Sequence, residues 1–137
     1  MFPDNFKWPI RIYYEDTDAG GIVYNANYLK YLERARTEWL RALSIEQDKL
    51  LEQDVAFVVR HIDIDFCSAA RFNQQLFVSC EIAELKRASM IFRHVIVDEN
   101  DKVVVKASVT IACIKLSAMK PMAIPSDISG VILRATN

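Results

Sequence analysis

The chain has 137 residues, with 17 Lys and Arg against 18 Asp and Glu and a formal net charge of −1. That length suits one domain over residues 1–137, and the charge balance gives no support to nucleic-acid binding. Apolar residues make up 52% while Gly and Pro number only three and four, which excludes a disordered chain and favours a folded, self-associating protein.

Met1 to Lys7 carries Asp4 and Lys7 and no apolar run of signal-peptide length, and no stretch reaches about 18 uninterrupted apolar residues. A cytoplasmic protein without a transmembrane segment is expected. From Phe6 to Tyr14, Trp8, Ile10, Ile12 and Tyr14 share one parity and Lys7 and Arg11 the other, so a strand is predicted, with Pro9 near its start or on an edge. Glu15 to Gly21 then holds three carboxylates and two of the three glycines, the composition of a loop. Asn25 or Asn27 is positioned to cap a helix reaching about Leu43, because Leu29, Leu32, Ala35, Trp39, Leu40 and Leu43 form a stripe while Glu33, Arg34, Arg36, Glu38 and Arg41 cover the other sides. Ser44-Ile45-Glu46-Gln47 matches a capping box, which predicts a short helix from Ile45 to Glu52.

The remainder reads mostly as strand: Val55 to Phe66, Leu76 to Lys86, Ala88 to Val97 and Val103 to Lys115, with a hairpin turn at Asp98 to Asp101. Ser117 to Pro125 should be irregular, and Ser126 to Leu133 one or two helical turns. The order predicts an α+β fold, an antiparallel sheet with a long helix on one face and Trp39 in the core. Cys67, Cys80 and Cys113 are widely spaced within apolar runs, which points to buried free thiols in a reducing compartment. His61 and His94 lie far apart, so no metal site is expected, and each reads as a packing or rim residue.

Asp18 falls between a strand and a helix start and precedes Ala19-Gly20-Gly21, whose lack of bulk lets a ligand approach the backbone. A carboxylate there supplies a base or nucleophile, and the helix amides can hold charge developing on a carbonyl oxygen. The competing reading makes Asp16 and Asp18 turn formers only. Glu33 and Glu38 read as surface ion-pair partners. Lys86, Arg87 and Ser89 offer two cations and a hydroxyl for a phosphate, against the reading that this is solvated loop charge. No G-x-S-x-G, GxGxxG or phosphate-loop pattern occurs.

The run Tyr13-Tyr14-Glu15-Asp16-Thr17-Asp18-Ala19-Gly20-Gly21-Ile22-Val23-Tyr24, followed by Asn27 to Arg36, resembles the hotdog-fold acyl-CoA thioesterases of the 4-hydroxybenzoyl-CoA thioesterase type. Ala56 to Arg60, the stretch to Arg71 and Met119-Lys120-Pro121 resemble the Tol-Pal-associated bacterial branch called YbgC. The resemblance implies a sheet wrapped around the long helix and a homodimer or homotetramer with active sites between subunits. It implies Asp18 as the catalytic carboxylate and the amide of Asn25 as the group polarising the thioester carbonyl. Many of that branch carry His at the place of Asn25, which a backbone amide tolerates. Gly20, Gly21 and Tyr24 then border the substrate, and Lys86, Arg87 and Ser89 lie on the turn that holds coenzyme A phosphates in relatives.

The expected activity is hydrolysis of an acyl thioester, with coenzyme A part of the substrate and no separate cofactor. Two rivals accompany it. One is a non-catalytic binding module for acyl-CoA or acyl carrier protein at the inner membrane, against which the retained Asp18 argues. The other is dehydration of hydroxyacyl thioesters, which needs a histidine that neither His61 nor His94 supplies in the right segment.

Overall fold

A computed structural model describes residues 6–136; residues 1–5, part of the segment read as lacking a signal sequence, fall outside them. The first strand, β1 (Lys7–Arg11), is shorter than the alternation predicts. Ile10 and Ile12 are buried as expected, whereas Tyr14 is 80% exposed. The cause is a 3-10 turn at Tyr14–Asp16, which takes the chain off the sheet. The Asp16 carboxylate accepts the Tyr13 N–H at 2.7 Å, and the Asp16 N–H donates to the Tyr13 carbonyl at 3.0 Å.

Helix α1 (Asn27–Ala42) lays Tyr28, Tyr31, Leu32, Ala35, Trp39 and Leu40 against the sheet, and the Trp39 ring meets Phe92 edge-on with centroids 5.4 Å apart. Leu29, expected in that stripe, is exposed. Arg36, expected on an outer side, is 7% exposed. It sits one turn of four residues from both Leu32 and Leu40, so its position belongs to the inward face.

The predicted capping box is corrected. Ser44 N–H donates to Arg41 O at 2.9 Å and Ile45 N–H to Leu40 O at 2.9 Å, the paired bonds of a Schellman ending, with Ser44 at φ 65° where glycine is usual. Ser44 therefore closes α1 instead of opening the next helix, and α2 (Gln47–Glu52) starts two residues later than predicted.

Strand β2 (Val55–Phe66) and strand β6 (Val103–Lys115) pair along their lengths, with Arg60 as the extra residue where the register shifts between Val59 and His61. The predicted strand over Leu76 to Lys86 is broken at Cys80 into β3 (Gln75–Ser79) and β4 (Glu81–Leu85), both pairing with β5 (Ser89–Val97). The register continues through the break, from Val78 opposite Ile96 to Glu81 opposite Arg93. Ser79 Oγ accepts the Val95 N–H at 2.9 Å and donates to the Val95 carbonyl at 3.2 Å, standing in for the missing ladder bonds. A two-residue strand, β7 (Lys120–Pro121), pairs with β6 inside the segment expected to be irregular, and α3 (Ser126–Thr136) extends to 11 residues, past the one or two turns predicted.

Among the described residues the sheet has seven strands in the order β1-β3-β5-β6-β2, with β4 on β5 and β7 on β6. This is the expected α+β hotdog arrangement, an antiparallel sheet curved around α1. Its two edges differ. β1 is five residues long and carries Pro9, the features that blunt an edge. β2 is twelve residues long and, among the described residues, pairs only with β6.

Cys80 and Cys113 are free and buried as predicted, and burial raises both thiols, Cys80 to about 12 with the Arg36 charge pulling the other way. Cys67 is exposed, a correction: β2 has ended and the chain turns there, with the Cys67 N–H tied to Val104 O at 2.8 Å. No helix among the described residues is long and apolar enough to cross a membrane.

Candidate active site

The loop before α1 is built from a short internal ladder. Asp18 N–H donates to Ile22 O at 2.9 Å, Thr17 bridges Val23, and Tyr24 N–H donates to Asp16 O at 2.9 Å. Gly21 closes the turn with φ +77°, a conformation that costs other residues strain. Val23 N–H donates to Ala70 O at 2.9 Å and Ile22 bridges Arg71, which fixes the platform to the chain following β2.

The two aspartates differ in burial and in partners. Asp16 is 8% exposed and both its carboxylate oxygens are used: Oδ2 accepts the Tyr13 N–H, and Oδ1 accepts Asn27 Nδ2 at 2.9 Å. Asp16 thus holds its turn with both oxygens. Asp18 is exposed, and only its Oδ1 has a partner among the described residues, the Gly20 N–H at 2.9 Å. A Cβ on Gly20 would stand 3.3 Å from that oxygen, so glycine keeps the carboxylate's position open. Oδ2 is left for a water or a substrate.

Neither asparagine caps α1 through its side chain, contrary to expectation: the N-cap residue is Ala26, and Asn27 spends its amide on Asp16. The consequence is chemical. Asn27, Tyr28 and Leu29 donate to the carbonyls of Tyr24, Asn25 and Ala26, while the N–H groups of Asn25 and Ala26 have no acceptor among the described residues. Two open amides at the positive end of a 16-residue helix form a place for negative charge. Asn25 and Tyr24 are both exposed beside it.

Lys86 and Arg87 are exposed on the turn between β4 and β5, where Lys86 N–H donates to Ser89 O at 2.8 Å and Lys86 Nζ stands 3.6 Å from Glu84. Ser89 is 8% exposed as the first residue of β5, which takes its hydroxyl off the turn's surface. Within one chain this turn and Asp18 are not together. The turn stands at the Ser89 end of β5 and the platform at the Val97 end, eight residue steps or about 26 Å away.

A buried polar cluster escaped the sequence reading. His94 is wholly buried; its Nδ1 lies 2.9 Å from Ser79 O and its Nε2 3.3 Å from Arg36 Nη1. The carbonyl fixes the proton on Nδ1, leaving Nε2 to accept from Arg36. Burial, with the Arg36 charge adding to it and the Ser79 bond opposing, holds His94 down to about 4. The signal in the sequence was the four-residue spacing Leu32-Arg36-Leu40. His61 is exposed, 3.3 Å from Asp63. Among the described residues no group of His, Cys, Asp and Glu is arranged to hold a metal.

Residues 20–105 match the thioesterase superfamily model. The chain belongs to the thioesterase superfamily. Membership places it among the thioester hydrolases. It is 46% identical over 131 residues to the acyl-CoA thioesterase YbgC of Haemophilus influenzae, covering 95% of this chain and 96% of that one. Against the acyl-CoA thioester hydrolase YbgC of Escherichia coli O157:H7 it is 42% identical, over 90% of this chain and 92% of the relative. The crystal structure of a probable thioesterase from Bartonella henselae superposes with a TM-score of 0.75 at 34% identity, covering 88% of this chain and 97% of that one.

Proposed function

We propose that this thioesterase hydrolyses acyl thioesters of coenzyme A, with Asp18 as general base or nucleophile and the backbone amides of Asn25 and Ala26 as the oxyanion site. The observation that carries the reading is a carboxylate oxygen without a partner on the same platform as two open helix amides. In one route Asp18 takes a proton from water as its oxygen adds to the carbonyl carbon. In the other Asp18 itself attacks and the mixed anhydride is hydrolysed by water. Either way the carbon–sulfur bond breaks, the thiolate leaves and takes up a proton, and negative charge passes through the carbonyl oxygen. Gly20 and Gly21 keep the backbone open to the thioester, and Tyr24 flanks it. Label found in Asp18 after a single turnover in ¹⁸O-water would establish the nucleophilic route, since it enters only when water opens the anhydride at the Asp18 carbonyl.

The same reading makes the protein a homodimer joined along β2, or a homotetramer built from two such dimers. The long unpaired β2 edge supports this. Two antiparallel β2 strands about a twofold axis lay each Phe66 end against the partner's Val55 end. β2 pairs Val55 with Lys115 and Phe66 with Val105, so the Val55 end lies toward the Lys86–Arg87 turn and the Phe66 end toward the Asp18 platform. A turn remote from its own Asp18 thereby comes beside the partner's, where its cations bind the phosphates of coenzyme A. A monomer by light scattering at micromolar concentration would overturn this assembly.

The reading carries with it a cytoplasmic protein with coenzyme A as carrier. Acyl carrier protein is the competing carrier, and offering one acyl group on both carriers distinguishes them. Thiol release across a panel of acyl-CoAs tests the activity: turnover is expected, and wild-type protein that binds acyl-CoA without hydrolysing any member would establish a binding module instead.

A further inference from the structure

Between α1 and the opening half of β2 lies a groove of about 300 Å³ whose walls include Leu40, Phe57, Met90, Phe92 and Ile111. It has room for about ten water-sized heavy atoms. The lining also carries the polar side chains of Glu33, Thr37 and Gln47 and one cation, Arg36, more than nine-tenths buried. It makes no salt bridge among the described residues, and its one side-chain bond there is Nη1 to the neutral His94. No nitrogen of Arg36 is among the sealed, partnerless atoms, so the N–H groups that His94 does not occupy keep access to the surface, and Arg36 lines the groove. The charged groups facing Arg36 are few: Glu33, exposed at the groove mouth, and the Cys80 thiol, which burial keeps protonated. Desolvation by its surroundings lowers the guanidinium from its ordinary value, with Cys80 and Glu33 pulling the other way.

We propose that Arg36 is a specificity-determining residue: it holds the far carboxylate of an ω-carboxyacyl thioester, so that the half-thioesters of short dicarboxylic acids are favoured over plain fatty acyl groups of the same length. The inference rests on the thioesterase reading and on the β2 dimer, which sets the Val55 half of one β2, and with it the groove, beside the partner's Asp18 platform. Planar guanidinium N–H groups match a carboxylate two to two. His94 positions the fork by accepting one N–H, and its neutrality leaves the positive charge on Arg36 alone. Glu33 opposes the ligand only from the solvated mouth, where screening is strong.

The test compares kcat/KM for glutaryl-CoA and hexanoyl-CoA, whose acyl groups are similar in length and differ at the end. Wild type should favour glutaryl-CoA. Arg36→Met should lower kcat/KM for glutaryl-CoA by roughly ten- to a hundredfold, the worth of a charge-assisted hydrogen bond, and leave hexanoyl-CoA within a few-fold. Arg36→Lys, keeping charge but losing the fork, should fall between. The wild-type ratio decides even where a variant fails to fold. Turnover that treats the two substrates alike, or favours hexanoyl-CoA, overturns the role of Arg36 while leaving the thioesterase reading in place; wild type inert toward every acyl-CoA overturns both.

Discussion

Replacing Asp18 by Asn separates a chemical role from a structural one, because the structure assigns the side chain so little structural work. The carboxylate is exposed and accepts a single hydrogen bond, from the Gly20 N–H at 2.9 Å. Asn keeps that acceptor, so the cost to stability should be under about 1 kcal/mol. Loss of a general base removes roughly 10²- to 10⁴-fold from kcat, about 2.7 to 5.4 kcal/mol of barrier. Asp16→Asn should show the opposite profile. Its two oxygens accept from Tyr13 N–H and Asn27 Nδ2 in a buried setting, and an amide satisfies only one donor without rearrangement, a loss of about 1–3 kcal/mol. Turnover per folded molecule should suffer less there, and less again in Glu33→Gln. The assay is steady-state thiol release with several acyl-CoAs, alongside urea melts, circular dichroism and sizing. Near-normal hydrolysis by a folded Asp18→Asn protein would refute the mechanism.

His94, held near 4 against an unfolded value near 6.5, favours the folded state only while neutral. Its contribution should be intact above pH 6.5 and decline as pH falls toward 4, by up to about 3 kcal/mol, and His94→Gln, which still accepts from Arg36, should flatten that decline in urea midpoints measured across pH. Replacing Lys86 and Arg87 together by Ala should raise KM for acyl-CoA with kcat nearly unchanged and weaken the rise of KM with salt; an unchanged KM and salt response would assign the turn to solvent. Gly21→Ala meets no atom within 4 Å but must hold φ +77°, so thermal melts should show a loss of about 1–2 kcal/mol. Gly20→Ala crowds Asp18 Oδ1 at 3.3 Å, and its loss should appear in kcat before it appears in stability.

Periodicity in the sequence was enough to place α1, β2, β5 and β6 within a residue or two, because each buries one face and alternation reports burial directly. What it could not reveal depended on partners distant along the chain. The strand through Cys80 looks continuous, and only the Ser79 hydroxyl on Val95 explains the break. Ser44 carries the side chain of an N-cap yet occupies the left-handed position that ends a helix, since composition does not disclose which neighbouring helix claims a residue. Asp16 and Asp18 are two residues apart with the same chemistry, and their roles separate only when Asn27 folds back on the first. The cluster of Arg36 and His94 joins residues 58 apart, beyond any local pattern.

The bond from Asn27 Nδ2 to Asp16 Oδ1 ties the turn that carries Asp18 to the first residue of α1. The loop and the helix start consequently gain and lose order as one unit, and the spacing between the Asp18 carboxylate and the open amides is set before any ligand arrives. In hydrogen exchange the Tyr24 and Asn27 amides, one paired with Asp16 O and the other with Tyr24 O, should open together and with a common free energy. Cutting this tether by Asn27→Ala would let the two halves of the proposed reactive centre drift independently while each stayed locally folded, turning one rigid template into two.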